Sequence, residues 1–117
     1  MICQKCKKDF PSEMVEASHD IPKYVGGMDQ DGRHSLCKTK GEYIGCHDKY
    51  EREILSRCFK LAFKRDIPLS EFKERGTLIP YMTSIKNSVA CRECFYLALQ
   101  IKKEWWGNGD TKTITES

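Results

Sequence analysis

The chain lacks any long apolar run: nowhere in its 117 residues do the roughly eighteen consecutive apolar positions of a membrane span occur. Its opening, M-I-C-Q-K-C-K-K, lacks the apolar stretch of a secretory signal. The expectation is a soluble, cytoplasmic protein with no membrane partner. Seven cysteines cannot close into pairs, and the C-x-x-C spacings, Cys3 with Cys6 and Cys91 with Cys94, suit metal ligation in a reducing compartment better than a disulfide framework. No C-x-x-C sits on the βαβ pattern of a thiol redox protein. Acidic side chains are missing between Arg57 and Arg65, a stretch that also holds Lys60 and Lys64, and no asparagine precedes Asn87. The chain contains no internal repeat and no low-complexity tract.

What is present suffices for one modest core, at 39% hydrophobic residues, and a second independent domain is not expected. The net charge of +3 is compatible with a polyanionic partner without requiring one. The basic run at Arg57, Lys60 and Lys64 is either a solvated helix face or a nucleic-acid contact.

Taken in order, residues 1–10 read as a knuckle, with Cys3 and Cys6 on a tight turn. Two thiolates so spaced can reach one zinc ion, which needs four ligands, and Cys37 and Cys46 are the nearest candidates for the second pair. A metal clip suits so small a domain, because its binding energy adds to folding. Residues 13–25 carry a strand that contains E-A-S-H-D-I-P. On it His19 points one way while Ser18 and Asp20 point the other, and Pro22 ends the regular hydrogen bonding. Gly26, Gly27, Asp29, Asp31 and Gly32 mark a loop, after which R-H-S-L-C (Arg33 to Cys37) reads as a second strand. From His47 the spacing turns helical through Tyr50, Ile54, Cys58 and Ala62, to about Asp66, before Ile67 and Pro68. His47 and Glu51, four apart, project from one face and can share a metal ion.

That order of C-Q-K-C, S-H-D-I-P, D-G-R-H-S-L-C and C-H before a helix resembles the HNH endonucleases over about residues 1–60. The resemblance implies a ββα-metal motif of strand, loop, strand and helix around one catalytic ion, and cleavage of DNA. It implies His19 as the general base, and His47 and Glu51 as ligands of a divalent ion (Mg2+, Mn2+, Ni2+ or Zn2+). The family pattern has a metal ligand just before the basic histidine. Here Ser18 stands there, and Asp20, on the same face, is the substitute. The final ligand, a histidine in the family, is Glu51, a harder ligand that favours magnesium or manganese. The family's central asparagine, which orients the base, is replaced nearest in position by His34, and the neighbouring Arg33 suits a phosphate contact. In the family the second cysteine pair is closely spaced, whereas K-T-K-G-E-Y-I-G separates Cys37 from Cys46. HNH domains of this size resemble those carried by bacteriophages and restriction systems.

Beyond the motif, Ser70 can cap a short helix through Arg75 that ends at Gly76, and Pro80 suits the first turn of a longer helix running to about Trp106, along which Tyr81, Ile85, Val89, Tyr96 and Leu99 recur near helical spacing. Cys58, Cys91 and Cys94 read either as buried packing or as a three-cysteine zinc site, and Trp105 and Trp106 as core cover or as a stacking surface for bases. The sequence therefore predicts a small α+β fold: residues 1–66 form an HNH ββα-metal motif with a structural zinc held by Cys3, Cys6, Cys37 and Cys46, and residues 67–117 form a helical extension with a frayed tail at 107–117. The expected function is metal-dependent hydrolysis of DNA. The alternative is a zinc-bound nucleic-acid or protein adaptor that keeps the fold without catalysis.

Overall fold

In the computed structural model, strand β1 (Val15–His19) pairs antiparallel with β2 (Arg33–Cys37), in a register running from Val15 opposite Cys37 to His19 opposite Arg33. Intrinsic preference is weak here, since Val15 is the one β-branched residue of the two strands, and it is the alternation of buried and exposed positions across the pleat that suits the extended chain. Ser18, His34 and Leu36 are buried, while Ala17 and Arg33 are exposed. A ribbon of two strands is marginal alone. It is held here by the cysteine knuckle at one end and by helices on its buried face.

The knuckle is tied to β2 by backbone: Gln4 N–H donates to the Ser35 carbonyl at 2.9 Å, and Ser35 N–H donates to Gln4 Oε1 at 2.6 Å. The segment between Cys37 and Cys46 forms a hairpin, bridged between Lys40 and Tyr43 and turning through Gly41 in the left-handed region (φ 59°). The insertion therefore returns to its origin, and Cys46 comes back beside Cys37. Gly45 makes that return possible, because a Cβ there would lie 2.5 Å from the Lys38 carbonyl oxygen.

Helix α1 spans Cys46–Phe63 and buries Tyr50, Ile54, Leu55, Cys58 and Phe59 along one stripe. It ends three residues short of the expected Asp66, because Lys64 takes a left-handed cap (φ 61°) whose N–H bonds the Lys60 carbonyl at 2.9 Å.

The C-terminal half differs from the single long helix expected from Pro80 to Trp106. Leu69–Lys73 forms a 3-10 turn, α2 spans Arg75–Lys86 with Gly76 and Pro80 inside it, and α3 spans Cys91–Glu116. Pro80 sits four residues after Gly76, the residue whose carbonyl faces the pyrrolidine ring, one turn later than a proline opening a helix. The break between α2 and α3 falls where Asn87 and Ser88 bend the chain: Ser88 Oγ bonds the Ile85 carbonyl at 2.9 Å, and Val89, read as part of the apolar stripe, is fully exposed. α3 packs along α1, and α2 packs against α1 and the turn Lys23–Val25. Ile85, Ala98 and Ile101 thereby join the core formed by Ile21, Leu36, Tyr50 and Ile54.

The structure describes the backbone of residues 1–116 and the side chains of residues 1–107. At Gly107 the backbone leaves the helical region (φ 70°, ψ 173°). The frayed tail expected at 107–117 otherwise lies outside the described side chains. Among the described residues no helix is long and apolar enough to cross a membrane.

Candidate functional site

Two centres flank the ribbon. In the first, the sulfurs of Cys3, Cys6, Cys37 and Cys46 all lie within 4.8 Å of one another, near the separation of about 3.8 Å set by zinc–sulfur bonds of about 2.3 Å in a tetrahedron. Lys7 in the left-handed region (φ 66°) and the Lys7 N–H bond to the Cys3 carbonyl at 2.9 Å make the turn that brings the first pair together. Burial opposes ionisation of Cys3, but backbone N–H bonds around Cys6, Cys37 and Lys5 outweigh it and bring that thiol down to about 6. Burial, then hydrogen bonds with Cys37 and Cys3, hold Cys46 well above the usual thiol range. Four thiolates packed this closely repel one another unless a cation sits among them, and a soft, four-sulfur donor set suits zinc.

The second centre lies along the free edge of β1. The ribbon has only two strands, so β1 is unpaired on the side away from β2. The consecutive residues Glu16, Ala17, Ser18 and His19 all line a cavity of about 750 Å³ there. The opposite wall is the first two turns of α1, with His47, Asp48 and Glu51, and α2 contributes Arg75. His47 Nε2 lies 2.8 Å from Glu16 Oε1 and 3.4 Å from Glu51 Oε2. Its Nδ1 is buried and has no hydrogen-bond partner among the described residues, and Nε2 is the atom the ring offers to the two carboxylates. Glu51 uses its other oxygen, Oε1, to accept a close hydrogen bond from Arg75 Nη1. That bond raises the guanidinium above its usual range against the opposing effect of burial, with the charges of Glu51, Asp48 and Glu16 adding to it.

His19 is oriented from the loop. The 3-10 turn Asp29–Asp31 places Asp29 Oδ1 2.6 Å from His19 Nε2. An ionised carboxylate can only accept, so Nε2 carries the proton and the neutral ring keeps its lone pair on Nδ1. The His19 bond lowers the Asp29 carboxyl from its ordinary 3.8. The linkage therefore stabilises the fold above that value and is lost as pH falls through the depressed one. The loop is itself fastened to α3, where Lys102 Nζ donates to the Asp31 carbonyl at 2.6 Å.

Two residues expected in the catalytic and metal-binding set are not on this cavity, nor are the expected nucleic-acid contacts Arg33, Arg57, Lys60 and Lys64. Asp20 was the expected ligand in place of Ser18, yet it is buried, with Oδ1 2.7 Å from His34 Nδ1 and Oδ2 3.6 Å from Lys102 Nζ. His34, expected to orient the base, is stacked on Trp106 with ring centroids 3.8 Å apart. Asp20 lies just past the end of β1, where the chain has left the strand alternation and the carboxylate turns to His34 and to Lys102 of α3. The carboxylates that do meet the cavity histidines are Asp29, at His19, and Glu16, at His47. Glu16 lies on the same strand face as Ser18, two residues earlier, and was legible from that alternation. Asp29 carried no local signal.

The basic run is largely engaged. Arg57 Nη1 meets Glu104 at 2.9 Å and Glu53 at 3.4 Å, and Lys60 meets Asp66 at 3.4 Å, leaving Lys64 and Arg33 as exposed cations of the expected contact set. Cys58 and Cys94 bond each other's backbone carbonyls, at 3.6 and 3.5 Å, and Cys91 turns to the Tyr24 carbonyl. Among the described residues, the knuckle set is the one group of three or more ligands whose donor atoms all lie within 4.8 Å of one another, whereas His47 meets Glu16 and Glu51 separately, with Glu51 also held by Arg75. Both tryptophans pack on the core, Trp105 edge-on to Tyr50 and Trp106 on His34. No family model, curated protein or solved structure matches the chain.

Proposed function

We propose that the chain is a metal-dependent endonuclease of the HNH type, hydrolysing DNA phosphodiester bonds on a ββα-metal motif braced by a structural zinc. The observation that carries this reading is that His19 and the pair His47 and Glu51, picked out by their sequence positions, line one cavity. The succession of ribbon and helix, with C-H at the helix start, supports it. Glu16, His47 and Glu51 are the residues that would hold the divalent ion, the two carboxylates drawing together around it from contacts that now run separately to His47, and their imidazole nitrogen and hard carboxylate oxygens suit magnesium, manganese or nickel. When bound, that ion supplies charge neutralisation at the non-bridging and leaving oxygens of the phosphodiester.

The chain's own groups do the rest. His19 accepts the proton of the attacking water at Nδ1, and Asp29 stabilises the imidazolium that results and fixes the ring plane. Asp29 acts through His19 and is a positioning residue. Arg33, exposed and opposite His19 in the β-register, lies where a phosphate of the bound strand can be gripped. Lys23 and Lys38 on the cavity wall extend that basic rim.

Purified, zinc-loaded protein is expected to nick supercoiled plasmid with magnesium, manganese or nickel and to stop when these are withdrawn. DNA binding in a gel-shift assay without cleavage under any of these ions supports the adaptor reading instead. Asp29→Ala should slow nicking by about tenfold to a hundredfold, the loss that follows when a reacting group is imperfectly placed. Its substrate KM should be unchanged, and an equal fall in DNA affinity assigns Asp29 to binding.

A further inference from the structure

Arg75 is the feature the proposed mechanism does not use. It comes from α2, outside the segment that carries the nuclease resemblance, yet its guanidinium reaches across the cavity to Glu51 Oε1. Glu51 divides its oxygens between this guanidinium and His47 Nε2, 3.4 Å away, and His47 in turn reaches Glu16 at 2.8 Å. Asp48 and Glu16 lie close enough to add to the hold on Arg75. The side chain of Arg75 is 59% exposed while that of Glu51 is 16% exposed, so the carboxylate is fixed in the wall and the cation reaches it from solvent.

We propose that Arg75 is the resident counter-cation of the divalent-ion site: it neutralises Glu51 until an ion binds, and must leave Glu51 for that ion to be held. The proposal rests on the assignment of Glu16, His47 and Glu51 as ligands. A guanidinium and a divalent ion cannot both use the same Glu51 oxygen, and two cations at contact distance repel. An ion pair with one largely solvated partner exchanges readily, so the guanidinium can yield the position without unfolding α2. Helix α2 thereby tunes how tightly the nuclease motif holds its metal.

The test is Mn2+ binding to the full, zinc-loaded chain, followed by the electron paramagnetic resonance signal of free Mn2+. The knuckle does not compete, since four thiolates prefer zinc. Arg75→Ala and Arg75→Gln are expected to bind Mn2+ about fivefold more tightly than wild type, as removal of one competing ion pair predicts, with Arg75→Lys in between. Glu51→Gln is expected to bind more weakly. Equal or weaker binding by both neutral Arg75 variants, with Glu51→Gln still weakened, overturns the counter-cation role and leaves the ligand assignment standing. Binding that Glu51→Gln does not alter removes the ligand assignment, and this proposal with it. Zinc content and circular dichroism report whether each variant is folded.

Discussion

His19→Ala is expected to lower plasmid nicking by about 10²- to 10⁴-fold, the range a positioned general base contributes, with the zinc content and the melting temperature nearly unchanged. The separation of effects follows from the surroundings. The His19 side chain is 25% exposed and bonds Asp29, itself 70% exposed, so truncation leaves no buried polar group unpaired. Nothing in the core leans on the ring. The loss should appear in kcat rather than in DNA affinity, because in the proposed mechanism the imidazole acts on water while Arg33 and the cavity-wall lysines are the groups assigned to phosphate. Nicking by the variant at the wild-type rate removes His19 from the chemistry.

Cys46→Ser has the opposite profile: loss of one equivalent of zinc together with loss of the folded state. Structural zinc sites in small peptides bind with apparent free energies of about 10–16 kcal/mol, comparable with the whole stability of about 5–15 kcal/mol of an ordinary domain. The four cysteines join the first turn of the chain, the end of β2 and the start of α1 in one knot, and His47 follows directly on Cys46. Losing the clip is therefore expected to disperse the cavity along β1 as well as the knuckle. Cys3→Ser should behave alike. Cys58→Ser and Cys94→Ser should keep the full zinc content, since those thiols face backbone carbonyls, and burial holds both above the usual thiol range. Unchanged zinc in Cys46→Ser, measured by elemental analysis, rules the four-cysteine site out.

What the sequence could reveal followed the range of the interaction involved. β2 was legible as R-H-S-L-C because alternation and the flanking glycine and cysteine are local signals. The four-cysteine set was legible because ligand chemistry limits the choices, and the hairpin through Gly41 explains why eight intervening residues do not spoil it. Helical spacing put His47 and Glu51 on one face without any knowledge of what stood opposite. Asp29 was hidden because its contact with His19, ten positions away, depends on how the loop between β1 and β2 folds back. Asp20 and His34 were misassigned because their partners, Lys102 and Trp106, come from a helix more than seventy residues away in the chain. The break at Asn87 and Ser88 was masked by an apolar periodicity that Val89 continues only in sequence.

The proposed mechanism requires one cation between β1 and the first turns of α1. Crystals of the zinc-loaded protein soaked in Mn2+ and measured at the manganese absorption edge test for it directly. An anomalous peak is expected among Glu16, His47 and Glu51, facing His19 across the cavity. Manganese found elsewhere on the chain with none in this cavity contradicts it.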